Sequence, residues 1–311
     1  MSHDLDLTKI RTYSLNSRPS KVEVGDFAQV PSRQVAQQAW AWIDGFSKVL
    51  AAKDLRQLVA RLRASHQAGR PVLWGMGSHV IKTGLAPLLI DLMELGYVQL
   101  LAFNGSALIH DFETAYAGKT SEDVGAVLGD GSFGMAQETG DMVNDALNSG
   151  VQDGLGLGAS LGRFISESAF KYKHLSLFAQ AWERKIPATV HVAIGTDIIH
   201  MHERCDGSLI GKGSHRDFLT FAQGVSQLEG GGYINLGSAV ILPEVFLKSV
   251  TLARNLGHTV DHFTTANFDF ISHYRERVNV VERPTGNGGK GFIFVGHHEL
   301  MVPLLHAGLK A

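Results

Sequence analysis

Apolar positions recur at intervals of three and four from Ser32 to Gly69. Val35, Ala39, Trp40, Ile43, Phe46, Val49, Leu50, Leu55, Leu58, Val59 and Leu62 fall on one side of a helical wheel. The spacing predicts two amphipathic helices with a break near Gly45 or Asp54. The pattern then changes. PVLWGMG (71–77) is a short apolar run closed by glycines, and Ser78 to Gly96 returns to helical spacing before a glycine suited to a helix C-cap. VQLLAFNG (98–105) followed by Ala107 to Ala117 repeats the unit. PATVHVAIGT (187–196), GYINLGS (232–238), HTVDHFTTA (258–266) and GFIFVGH (291–297) give four more strands. Apolar strands interleaved with helices predict an α/β fold, a doubly wound parallel sheet of Rossmann-like type covered on both faces. Residues 1–34 lack sustained periodicity and read as an irregular arm. Residues 35–311 read as a single α/β domain with an irregular insertion at about 118–180.

Composition narrows the function classes. The 311 residues carry 28 Lys and Arg against 30 Asp and Glu, a formal charge of −2, so no basic field exists to hold nucleic acid or an anionic membrane. The apolar stretch Leu85 to Leu95 is interrupted by Asp91 and Glu94 and is too short for a membrane span. Cys205 is the single cysteine, and the first residues contain no apolar core of the secretory type, so a cytoplasmic protein is the expectation. Glycine, at 35 of 311, is well above the usual ~7%, which points to tight turns and close backbone approaches.

In an open α/β sheet, ligands lie at the carboxyl ends of the strands. The turns expected there read Gly75-Met76-Gly77-Ser78-His79, Asn104-Gly105-Ser106, Gly195-Thr196-Asp197, Gly237-Ser238, Thr264-Thr265-Ala266-Asn267 and Gly296-His297-His298. Nearly all pair a small residue with a hydroxyl or amide. That suits a nucleotide's phosphate and ribose, although small polar residues also serve ordinary turns and caps.

From about residue 70 onward the sequence resembles deoxyhypusine synthase and its bacterial homospermidine-type relatives. GMGSHVIKTGL (75–85), LLAFNGSALIHDF (100–112), INLGSAVIL (234–242), FTTANFD (263–269) and ELMVPLL (299–305) follow the family's segments in order. The resemblance implies NAD as cofactor, with Gly77, Ser78, Asn104, Gly105, Ser106, Gly237, Ser238, Thr265, Ala266 and Asp269 contacting it. Asp111 matches a family aspartate. It further implies a homotetramer that transfers an aminoalkyl group from a polyamine or related amine. The family's T-D-G-S motif has two counterparts, Gly195-Thr196-Asp197 by spacing and Cys205-Asp206-Gly207-Ser208-Leu209 by letters. The family lysine aligns with Pro284, which leaves Lys290 the nearest candidate. Two family glutamates are Ile109 and His110 here, and the family histidine falls near Pro243 and Glu244. Lys290, Asp197 and Glu244 are therefore the candidate catalytic residues. Loss of the aligned lysine also admits a catalytically silent relative that only binds nucleotide.

Rival chemistries remain in the sequence. Asp197, His200, His202, Glu203, Cys205 and Asp206 crowd together in GTDIIHMHERCD and suggest a metal-assisted hydrolase. GDGSFG (129–134) fits a dinucleotide loop or the start of a thiamine diphosphate motif with Asp130 on magnesium, against a plain glycine-rich turn. GLGLGASLG (154–162) reads as a close-packing loop. Ser214, His215 and Asp217 are adjacent and point apart, so Ser214 reads as a helix N-cap with Asp217 in the first turn. The segment His273 to Arg277 reads as solvated and charged.

Overall fold

The computed structural model describes residues 5–311. Six parallel strands form the main sheet: β1 (Val72–Met76), β2 (Leu100–Asn104), β3 (Ala188–His191), β4 (Gly232–Leu236), β5 (Thr264–Asp269) and β6 (Lys290–Val295). Their spatial order is β3-β2-β1-β4-β5-β6. This is the doubly wound order of dinucleotide-binding sheets, and its reversal point lies between β1 and β4.

Side chains alternate along each strand, so both faces are apolar and both are covered. Val72, Trp74 and Met76 share one core with Phe103, Phe268 and Phe294, under α2 (Leu50–Gln67), α3 (Ala86–Glu94), α4 (Ser106–Ala117) and α10 (His298–Lys310). Leu73, Ala102 and Tyr233 face α8 (Gly207–Val225) and α9 (Ile241–Asn255) on the opposite side. There Tyr233 stacks on Phe246 at 3.9 Å and fills the place of a side chain at Gly75. Each fully buried aromatic of this kind contributes about 1.5–3 kcal/mol.

The first two helices are α1 (Arg33–Asp44) and α2, parted at Gly45, with the Ser32 hydroxyl accepting from the Val35 amide at 3.3 Å. Gly96 (φ +76°) follows the end of α3, and Gly118 (φ +69°) caps the end of α4. The stretch 118–180 is not irregular. It contains α5 (Gln137–Gln152), α6 (Leu157–Glu167) and α7 (Leu177–Glu183), whose buried faces join the main core. Within it, Gly158 packs against the Ala188 carbonyl of β3, and a Cβ there would lie 2.1 Å from that oxygen. The arm is tied down by a two-residue pairing of Val22–Glu23 with Lys119–Thr120 and by buried Leu15 and Arg18.

Ser214 is not an N-cap. It lies mid-way along α8, where its hydroxyl donates to the Val190 carbonyl, and Asp206 caps the helix through the Ser208 and Leu209 amides. Asp217 accepts hydrogen bonds from the amides of Val190 and Gly158 at 2.7 and 3.1 Å, so it covers the free border of β3. Among the described residues, no helix is long and apolar enough to cross a membrane.

Candidate active site

At the reversal point the chain after β1 meets the chain after β4. A Cβ on Gly77 would lie 2.3 Å from the Gly237 carbonyl oxygen, and one on Gly237 (φ +62°) would strike the ring of His298. The two turns are therefore packed on each other and on His298, with no room for a side chain at either glycine. Beside them, the Ser106 hydroxyl donates to Ser78 Oγ at 2.9 Å and stands 3.1 Å from Asn104 Oδ1, so the turns after β1 and β2 form one hydroxyl-and-amide cluster. Gly105 is pressed against the Asp197 carboxylate, which leaves no room for a side chain there. Asp197 joins this cluster from the loop after β3. Of the two counterparts of T-D-G-S, Asp197 is the one near the strand ends, whereas Asp206 is exposed and occupied as a helix cap.

On the other side, Ser238 Oγ accepts from the Leu242 amide, and Asp269 is buried at the carboxyl end of β5. Asn235 donates to Asn267, and Asn267 donates to the fully buried Glu276. Burial, and then the adjoining Asp269 carboxyl, pushes the Glu276 carboxyl well above its usual range. Glu276 thus departs from the reading of 273–277 as a solvated segment. Glu244 stands in the first turn of α9, ion-paired with Lys248 and Arg275 and accepting from Asn279.

Three expected site residues lie elsewhere. Lys290 opens β6 and pairs with Thr264, the first residue of β5, so it stands at the amino edge of the sheet, a full strand length from the ligand-binding end. Thr265 and Ala266 lie inside β5, completely buried, because that strand runs to Asp269 rather than ending at 266. The turn at its carboxyl end is Asp269-Phe270.

A cavity of about 200 Å³ opens beside the Ser78–Ser106 cluster. Its wall includes Ser106, Lys82, His110, Ser121, Glu122 and Asp197. Sequence reading missed most of its supports. Arg18, from the arm, makes a two-pronged ion pair with Glu113 of α4 at 2.8 and 2.7 Å, both groups buried. Thr120 and Thr139 also donate to Glu113. Glu122 accepts from the Tyr13 hydroxyl and the Gly134 amide. Burial pushes the Asp197 carboxyl up to about 6.

The crowded histidines do not build a metal site. His200 Nδ1 accepts from the amides of Gly195 and Asp197, and His202 Nε2 donates to the Gly134 carbonyl at 2.9 Å. Among the described residues, no three His, Cys, Asp or Glu side chains converge on one point. Asp130 takes up its neighbour Ser132 in an exposed turn.

The sequence matches no family model and no curated protein. Solved structures do share its fold. ArgZ, an arginine dihydrolase from the ornithine–ammonia cycle in cyanobacteria, aligns in its apo form with a TM-score of 0.52 and 17% identity over 84% of this chain and 33% of ArgZ. AgrE, in a ternary complex with ornithine and NAD+, aligns with a TM-score of 0.53 and 17% identity over 91% of this chain and 34% of AgrE. The chain thus spans about a third of the length of either protein. A chain from Entamoeba histolytica proposed to be a deoxyhypusine synthase aligns at 10% identity over 83% of this chain and 87% of that one, with a TM-score of 0.44, too slight to carry an argument. The likenesses to ArgZ and AgrE agree with the α/β architecture described above.

Proposed function

We propose that this chain is an NAD-dependent enzyme acting on a small amine, withdrawing hydride from the carbon that bears the amino group. The observation that carries the reading is the junction of two features at one end of the sheet. Two glycine turns meet tightly at the reversal point, and a cavity lined by hydrogen-bond acceptors and by Lys82 opens beside the Ser78–Ser106 cluster.

The residues fit a dinucleotide. Gly77 and Gly237 let the turns after β1 and β4 pack against each other and against His298, which brings their backbone groups together at the strand ends. Ser78, Asn104 and Ser106 would hold one half of it, and Gly237, Ser238 and the buried Asp269 the other. His298, buried against Gly237 with Nδ1 unpartnered, is a polar atom awaiting a ligand at the same turns. When bound, NAD+ supplies the hydride acceptor. The chain's own part is to hold the amine by Asp197 and neighbouring acceptors, and to exclude water with Ile109, Phe133 and Ile198. The ammonium would first give one proton to the Asp197 carboxylate, and the neutral amine would then lose hydride to leave an iminium on the substrate. If a group transfer follows, the fragment passes to a free amine, since Lys290 is at the far edge of the sheet. AgrE, of which this chain aligns with about a third, was crystallised with ornithine and NAD+, an amine and a dinucleotide, which supports this reading.

The test is calorimetric titration with NAD+, then mixing with NAD+ and putrescine, spermidine or ornithine while following NADH absorbance. NAD+ binding with NADH formation is expected from at least one amine, and Asp197→Asn should lower kcat/KM about 100-fold. No binding of NAD+ ends the proposal. Binding without turnover favours the silent nucleotide-binding relative.

A further inference from the structure

Behind the cavity runs a chain of hydrogen bonds that fixes one imidazole. Glu113, paired with Arg18, is ionised and only accepts, so Thr120 Oγ1 spends its single proton on Glu113 at 2.7 Å. The contact between Thr120 Oγ1 and His110 Nδ1, 2.8 Å, must then be donated by Nδ1–H. The tautomer follows: Nε2 is bare, it has no partner among the described residues, and the imidazole lines the cavity.

Two more unsatisfied groups border the same space. Ser121, on the cavity wall, has its Oγ buried without a partner, and the residue is held at φ +69°, a strained conformation for serine. Asp197 presents a half-committed carboxylate, accepting only a long contact from Thr196 Oγ1 and the amide that closes its own turn. An imidazole nitrogen, a hydroxyl oxygen and a carboxylate offer three acceptors. A primary ammonium offers three N–H donors.

We propose that His110 Nε2 is the acceptor that orients the substrate's primary ammonium, with Ser121 and Asp197 accepting hydrogen bonds from its other two N–H groups. This rests on the amine reading above and adds a binding residue to it. The cavity around His110 holds the carboxyls of Glu113, Glu122 and Asp197 as well as Lys82 and Arg18; burial first, and then Lys82, Arg18 and His79, hold the imidazole down to about 3. His110 therefore stays neutral and orients the amine rather than taking its proton. Lys82, whose field also reaches His79, stands toward the proposed dinucleotide turn.

The experiment uses the full chain without NAD+. In imidazole ¹⁵N spectra, His110 should show the Nδ1–H tautomer without titrating between about pH 5 and 8. Putrescine should shift its Nε2 resonance, and 1,4-butanediol should not. By calorimetry, His110→Phe should weaken putrescine binding at least ~10-fold. Thr120→Val should weaken it less, and Thr120→Ser should restore it. An Nε2–H tautomer, or an Nε2 signal indifferent to putrescine, overturns the proposal without any variant. If NADH forms from an amine yet His110→Phe binds putrescine like the parent, this inference alone falls. If His110 responds as expected while NAD+ does not bind, the NAD reading alone falls.

Discussion

A carboxyl with a raised ionisation point serves as a cation site only while it is charged. Asp197 titrates near 6 because burial disfavours its carboxylate. Raising a carboxyl's pKa in the folded state means that its contribution to stability is fully present below about 3.9, its unfolded value, and is lost as pH rises through about 6. A bound ammonium reverses that penalty. Putrescine should therefore raise the melting temperature more at pH above 6 than below it, and its affinity should fall up to ~10-fold per unit below that point. Calorimetry across pH checks this, and Asp197→Asn should flatten the profile. His110, neutral throughout, adds no limb of its own. The glutamate beside Asp269 obeys the same physics on the other side of the reversal point, held there by a buried asparagine ladder rather than by solvent.

Turns and strands carry the next level of constraint. At Gly77 an added Cβ meets the backbone of Gly237 rather than a side chain that can swing away, so relief requires separating β1 from β4. Gly77→Ala should cost about 1–3 kcal/mol of stability and weaken NAD+ binding, read by urea unfolding and titration. Strands such as Val72–Met76 and Leu100–Asn104 were legible from sequence because each is a mostly apolar run bounded by glycine or polar residues, and both faces of a parallel sheet are buried. Strand ends were harder to read. In HTVDHFTTANFD the hydroxyls of Thr264 and Thr265 look like turn residues, yet they lie within β5, and Thr265 is wholly buried with its hydroxyl unpartnered. Lys290 shows the same limit: proximity in sequence to the last strand says nothing about which end of that strand the side chain occupies. Ser214 looked like a cap because a polar pair begins there, but α8 had already started at Gly207 and used the hydroxyl to brace β3.

At the scale of the molecule, the arm completes the site. Arg18 lies 95 positions from Glu113, and no periodicity links a residue of an irregular segment to its partner on a helix. Arg18→Ala would leave a buried carboxylate without its cation and should cost about 3–5 kcal/mol, measured by urea unfolding, while loosening the chain that orients His110. The cavity was invisible in sequence for this reason: its acceptors come from the arm's partner helix, the segment after it and the loop following β3, and only folding gathers them. The sheet order that unites them is shared with ArgZ and AgrE, although this chain aligns with only a third of each.

The carboxylate of Asp217 also sets how copies of this protein can meet. It takes the outward amide of Val190, and the start of α6 lies over the outward carbonyl of Ala188. A foreign β-segment arriving at Val190 finds its amide taken by Asp217 and its carbonyl by Ser214. Growth of the sheet by strand addition is closed on that side, and any assembly made there has to be built from the side chains of α6, α7 and α8.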